Sequence, residues 1–282
     1  TTTIKYLEER KFSKDIINKF FRPFFSGIFL EENLNTSSRM FEFIYKMFGE
    51  GLAVIPKKGM GEISRQLAGN LKATTIRLNT AVKKVEQGKF TLVTGEEIIS
   101  HFTIIASEAT PLVSNLKGQE IPWKACHNLY FEVDERSIEK PLIGLISDSD
   151  ALINNIFFYN SIKTETKGAK QLLSVTVVKE TRLSGKALQE RVEEDLLQFC
   201  GIGEARFLKQ YTIRKALPDL KNVHYELDPT ETQLSGNIFL AGDQLLNGSQ
   251  HAAMLSGERA ALGVITTMEG GTITGELTSE YR

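Results

Sequence analysis

The segment Gly236-Asn237-Ile238-Phe239-Leu240-Ala241-Gly242-Asp243, with Gly248-Ser249-Gln250-His251-Ala252-Ala253 close behind it, constrains the fold more than any other part of the chain. Ile238, Phe239, Leu240 and Ala241 form an apolar run short enough for a buried strand. Gly242 lets the backbone turn sharply or approach a ligand closely. Asn247, Gly248 and Ser249 are turn and N-cap residues, so a helix is expected to begin near Gln250. Strand, Gly-Asp turn and helix make up the repeating unit of open α/β sheets, whose ligands bind beyond the carboxyl ends of the strands. Asp243 would lie at such an end, placed to accept hydrogen bonds from the hydroxyls of a sugar-like group. The helix N-terminus, equivalent to roughly half a positive charge, would favour an anionic oxygen. Ala253, Gly257 and Ala261 recur every four positions and would leave one helix face open to a backbone or a flat ring. The same spacing also serves a strand and helix packed for structural reasons alone.

Upstream, Ile16, Ile17, Phe20 and Phe21, then Phe41, Ile44, Tyr45 and Phe48, recur at helical spacing. Residues 90–99 read as a hairpin bent at Thr94-Gly95, and residues 102–107 as a buried strand. Further strands are expected over 126–133, 142–147, 155–159 and 171–178. Ser184 can cap a helix that runs from Gly185 to Cys200 with Leu188, Val192, Leu196 and Phe199 on one face.

Taken together, these motifs resemble the FAD-dependent amine oxidase, protoporphyrinogen oxidase and phytoene desaturase superfamily. The Gly242-Asp243 turn and its helix are similar to that family's C-terminal flavin-binding motif. Residues 56–63 resemble its Pro-x-Gly-Gly-Met segment, with Lys58 at the first Gly. Residues 75–85 resemble the strand that contacts the adenine, and 102–107 resemble its Val-Ile-x-Ala element near the nucleotide. The resemblance covers roughly residues 1–267. It implies cofactor contacts from Val82, Ala106, Gly242, Asp243, Ser249, Gln250, His251, Ala252 and Ala253. Asp243 would lie against the ribityl and pyrophosphate part of FAD, and the backbone around Gln250, His251 and Ala252 would face the pyrimidine edge of the flavin. Ala252 stands where many members have Gly.

The implied fold is mixed α/β, with an incomplete FAD-binding Rossmann-like domain interleaved with a substrate domain of mixed β-sheet flanked by helices. The corresponding division is 1–55, helical part of the substrate domain; 56–118, part of the FAD-binding domain; and 119–234, sheet part of the substrate domain. Residues 235–268 carry the C-terminal FAD-binding strand and helix, and 269–282 form a frayed tail. The implied activity is flavin-dependent dehydrogenation of a C–C or C–N bond in an apolar small molecule.

The family's pyrophosphate loop, Gly-x-Gly-x-x-Gly between a strand and a helix, is not found among these residues. Gly201-Ile202-Gly203-Glu204-Ala205-Arg206 ends in Arg and follows a helical pattern, and Gly59-Met60-Gly61-Glu62-Ile63-Ser64 ends in Ser. The expectation is therefore the C-terminal portion of a longer flavoprotein, which alone holds FAD weakly or not at all. The alternative is a non-catalytic module that kept the fold.

Composition narrows the partners. A net charge of −1 over 282 residues gives no electrostatic reason to expect nucleic acid. No apolar run approaches the roughly 20 residues of a transmembrane helix, and the composition is that expected of a soluble cytoplasmic enzyme. Cys126 and Cys200 are too few for a disulfide framework or a cysteine zinc site and are expected to be reduced. The 17 phenylalanines fit an apolar pocket as well as an ordinary core. No catalytic acid or base is singled out. His251 could tune the flavin or face solvent, His127 reads as a sheet residue, and Lys57, Lys58 and the 214–218 segment have equally plain structural readings.

Overall fold

The computed structural model describes residues 1–116, 120–163 and 170–270, so the expected tail lies, from residue 271 onward, outside the described residues. Helix α1 (Thr3–Glu9) starts where the Thr2 side chain accepts from Lys5 N, and α2 (Lys14–Ile16) where Ser13 accepts from Ile16 N. The helix then widens into a π turn over Ile17–Phe21 and continues as α3 (Arg22–Phe29). Pro23, which has no N–H to give and crowds the preceding turn, sits just beyond the widening. Leu30, in the left-handed region at φ 52°, ends α3.

Next come α4 (Ser38–Glu50), α5 (Gly61–Asn70), β1 (Val82–Glu86), β2 (Lys89–Leu92), β3 (Glu97–Ile99) and β4 (Thr103–Ile105). They are followed by β5 (Trp123–Val133), β6 (Gly144–Leu145), β7 (Asn155–Phe158), β8 (Gln171–Val177), α6 (Gly185–Cys200) and β9 (Arg206–Pro218). The chain closes with β10 (Gln233–Ser235), β11 (Ile238–Leu240) and α7 (Gln250–Glu269).

Two compact units result, each built from two separated stretches: Thr1–Ala73 with Trp123–Leu217, and Thr74–Pro122 with Pro218–Arg282. In the first, Ile17, Phe21, Phe25 and Phe29 make one buried stripe of period four that packs on Leu7, Leu34, Met40 and Phe41. The neighbouring Ile16 and Phe20, also at helical spacing, stay 41% and 37% exposed. A second core lies on one face of the five-stranded sheet β6-β7-β8-β5-β9. There Leu129, Phe131, Val133, Leu173, Val175 and Val177 receive Leu188, Val192 and Leu196 of α6, so this helix buries the stripe its sequence predicts. The long strand β9 is not evident in the sequence. It lies at the sheet edge, and the charges Lys209, Arg214 and Lys215 that suit an edge break the apolar alternation.

In the second unit, β1, β2 and β3 form a meander whose β2–β3 bend carries Gly95 at φ 91°. β11 lies between β10 and β4, antiparallel to the first and parallel to the second, with Ile238, Phe239 and Leu240 opposite Thr103, Ile104 and Ile105. The α7 face that packs against this sheet carries Ala252, Ser256, Ala260 and Gly263. A Cβ on Gly263 would stand 2.6 Å from the Pro229 carbonyl oxygen and 3.1 Å from the Phe239 ring. Close packing therefore falls on a different stripe from Ala253, Gly257 and Ala261. Nothing lies within 4 Å of a Cβ built on Gly257, and Ala253 and Ala261 are exposed.

Candidate functional site

The parallel pair β4 and β11 brings two carboxyl ends side by side. Ala241 N donates to Ile105 O at 2.9 Å, so Ala106 leaves one strand where Gly242 leaves the other. Gly242 has φ 154°, a conformation that a side chain strongly disfavours, and its N–H donates to Ser256 Oγ at 2.8 Å. Ser256 is fully buried and its own hydroxyl donates to Ala253 O, so the Gly242 bond staples the strand end to α7. The Gln244 side chain lies over Gly242, where a Cβ would otherwise stand. Neither Ser256 nor Gln244 is singled out by the sequence, although Ser256 stands one helical turn after Ala252.

Asp243 opens a single 3-10 turn (Asp243–Leu245), and Gly248 N closes the loop on its carbonyl at 3.0 Å. Asn247, 8% exposed, donates to His224 O and accepts from the Ser249 hydroxyl, so the approach to α7 is fixed by side chains. Ser249 then caps the helix by accepting from Ala252 N at 3.1 Å, and Ala253 N makes the first intrahelical bond, to Ser249 O. The N-terminus is thus less open than the sequence suggests. Of the first three N–H groups, that of Ala252 is given to the cap, and those of Gln250 and His251 have no acceptor among the described residues. The Ala252 methyl is buried in the core, while His251 and Ala253 are exposed. Val82 stands at the start of β1, in the separate β1-β2-β3 sheet, packed against the core of Val85, Ile105, Ile238 and Leu240.

Burial pushes the Asp243 carboxyl above its ordinary pKa, and the N–H groups of Gln244 and of Asp243 itself partly offset this. The folded chain therefore holds this proton more tightly than the unfolded chain. The associated stability is present at low pH and is lost as pH rises through the raised value. Asp243→Asn should accordingly melt close to the parent at pH of about 3 and above it at pH of about 7, in paired thermal unfolding scans. A difference that does not grow with pH would remove desolvation of Asp243 as its cause.

In the first unit, the sheet residues that alternate with the core point to the opposite face. There Tyr130 meets Tyr159 and Tyr211 at ring-centroid distances of 6.2 and 5.9 Å, and Phe157 meets Tyr159 at 5.3 Å. Burial, with Tyr159 close by, pushes the Tyr130 phenol up to about 12, so it stays protonated. Beside these rings Asn128 Nδ2 donates to Ser174 Oγ and Thr176 Oγ1 at 3.2 Å each, and Asn155 Nδ2 to Thr176 Oγ1 at 3.4 Å. His127 pairs through Nδ1 with Thr212 Oγ1 at 3.0 Å, and burial lowers its pKa. Lys57, Lys58 and Arg214 are exposed. Both cysteines are free, and burial pushes Cys126 up and Cys200 up to about 11, which keeps both as thiols. No helix among the described residues is long and apolar enough to cross a membrane.

The mixed α/β chain, with a parallel strand pair that opens on a Gly-Asp turn in one unit and a helix-covered sheet in the other, is similar in fold to solved oxidoreductase structures. The chain belongs to the flavin containing amine oxidoreductase family, whose sequence pattern it matches over residues 1–265. Among solved structures it is similar to an oxidoreductase from Methanosarcina mazei, with a TM-score of 0.63 and 19% identity over 95% of this chain and 68% of that one. A candidate protoporphyrinogen oxidase from Exiguobacterium sp. 255-15 superposes with a TM-score of 0.62 and 15% identity, covering 90% of this chain and 64% of that one. Reduced UDP-galactopyranose mutase gives a TM-score of 0.54 and 13% identity over 75% of this chain and 55% of that one. The chain thus spans about two thirds of the length of the first two structures. No curated protein sequence matches it.

Proposed function

We propose that the chain supplies one half of a flavin clamp in an FAD-dependent oxidoreductase that dehydrogenates a C–C or C–N bond of an apolar small molecule. The observation that carries this reading is the Asp243 carboxylate. It stands half-buried at the carboxyl end of β11, behind a glycine turn, with the N–H groups of Gln244 and Asp243 favouring its charged form, in the same loop that leads to the first N–H groups of α7, those of Gln250 and His251. This donor and acceptor set fits FAD. Asp243 would accept from ribityl hydroxyls, and the α7 amides would donate to an electron-rich edge of the cofactor. Gly242 and Ala106 would let the backbone approach, Val82 would contribute main-chain contacts on the adenine side, Ser249 and Ala252 would fix the helix start, and exposed Ala253 would leave room for a ring. When bound, FAD would accept the hydride released from the substrate's C–H bond. The Tyr130, Phe157, Tyr159 and Tyr211 face supports a substrate with an apolar body, and its Asn128, Ser174 and Thr176 ladder could orient a polar group on it.

Titration of the purified chain with FAD, followed by flavin fluorescence, tests the clamp. Because these residues contain no Gly-x-Gly-x-x-Gly loop, we expect binding far short of stoichiometric, and stoichiometric yellow protein would count against half a clamp. In a flavin-loaded protein that includes such a loop, Asp243→Ala should weaken retention by about 1–3 kcal/mol, the cost of leaving buried polar partners unpaired. Unchanged retention would remove Asp243 from the site.

A further inference from the structure

The first unit contains a cavity of about 490 Å³ between the helical segment that carries Asn18, Arg22 and Ser26 and the loop that joins β6 to β7. Small-molecule sites span roughly 300–1,000 Å³, so the size is suitable. Its chemistry is polar. Ser26 is 3% exposed, and its hydroxyl has no hydrogen-bond partner. A buried hydroxyl in that state is costly to the fold, and a ligand that pairs with it removes the cost. Arg22 gives Nη1 to the Glu32 carbonyl at 2.8 Å and aims Nε at Asn18 Oδ1 at 3.5 Å, which leaves the rest of its fork open. Lys179 gives Nζ to the carbonyls of Ser149 and Ala151 at 2.6 Å each. These partners are neutral, so both cations keep charge to offer.

The wall opposite α3 is set in place from behind. Buried Asp195 of α6 accepts from Leu152 N at 2.6 Å and Ile153 N at 3.1 Å, and Arg191 Nη2 donates to Asp150 O at 2.6 Å. Asn154 Nδ2 reaches across to Pro23 O at 3.0 Å. A site fixed in this way binds without a large ordering cost. The exposed acidic residues Glu32 and Asp148 also line the cavity, so two acids share it with the two cations. A doubly charged phosphate would be attracted by one pair and repelled by the other. A monocarboxylate bearing hydroxyl or ammonium groups satisfies both.

We propose that this cavity binds a small carboxylic acid of the amino-acid or hydroxy-acid class, with the carboxylate held by Arg22, Lys179 and the Ser26 hydroxyl and the hydroxyl or ammonium group turned toward Asp148 and Glu32. The assignment rests on the first unit alone and not on the flavin reading. Calorimetric titration of the full chain with L-serine, L-lactate and inorganic phosphate tests it. We expect saturable binding of L-serine or L-lactate, at least tenfold weaker in Arg22→Gln and at least threefold weaker in Ser26→Ala. Ser26→Ala should melt at or above the parent temperature, because it removes a hydroxyl that has no partner in the fold. Absence of saturable binding by both acids, unchanged affinity in Ser26→Ala, or phosphate binding as tightly as the acids would overturn the proposal.

Discussion

Asp195→Ala is expected to destabilise the protein by about 3–5 kcal/mol, the range for breaking a buried charge pair by deleting one partner. Asp195 is fully buried on α6, with Arg191 Nη2 3.0 Å from Oδ1 and the Leu152 and Ile153 N–H groups on Oδ2. Truncation would strand those two N–H groups, the second on a residue only 1% exposed, and each unpaired buried donor costs about 1–3 kcal/mol. Arg191 softens the loss, because its side chain is 33% exposed and can turn to water. Asp195→Asn, which keeps one acceptor for the two amides, should recover part of the loss. Urea denaturation of the three proteins decides the matter. A change below about 1 kcal/mol for Asp195→Ala would show that the loop 150–153 does not depend on this carboxylate.

Phe25→Ala should cost a similar amount, about 3–5 kcal/mol, through lost transfer energy and the cavity left behind. Phe25 is fully buried and touches four other rings: Phe41 at 4.6 Å, Phe24 at 5.2 Å, Phe29 at 5.4 Å and Phe21 at 6.3 Å. Tilted and edge-on contacts of this kind add to the area term. Phe20→Ala, on the same helical run but at a residue 37% exposed, provides the control and should cost well under half as much. Equal losses at the two positions would mean that the period-four stripe is not what holds the helical part together.

The two residues differ in how far the sequence reveals them. Phe25 belongs to a phenylalanine-rich helical run that marks a core, although only the structure separates buried Phe21 and Phe25 from exposed Phe20. Asp195 stands among Glu190, Glu193 and Glu194 and reads as one more acid on a solvated helix face. Its importance comes from the loop 150–153, whose N–H groups reach it from 42 to 43 residues earlier in the chain.

The amino-acid sequence by itself determined the elements with local signals. The apolar stripe gives α6 from Gly185 to Cys200, although Ser184 at its start makes no side-chain cap bond, Ser249 gives the start of α7 at Gln250, the run before Gly242 gives β11, and Gly95 gives the β2–β3 bend. Caps, turn glycines and helical periodicity act over a few residues, so a linear reading can find them. The order of motifs also placed the chain in its family. Only the tertiary structure decided the pairing of β11 with β4, more than a hundred residues apart in the chain, and the edge position of charged β9. It also decided which small-residue stripe of α7 packs, that Ser256 holds Gly242, that Ser249 spends the Ala252 N–H, and that Arg22, Ser26 and Lys179 share one cavity. Each of these depends on what a distant segment places against a residue. Burial and partnership are properties of the folded neighbourhood, and local propensity carries no record of them.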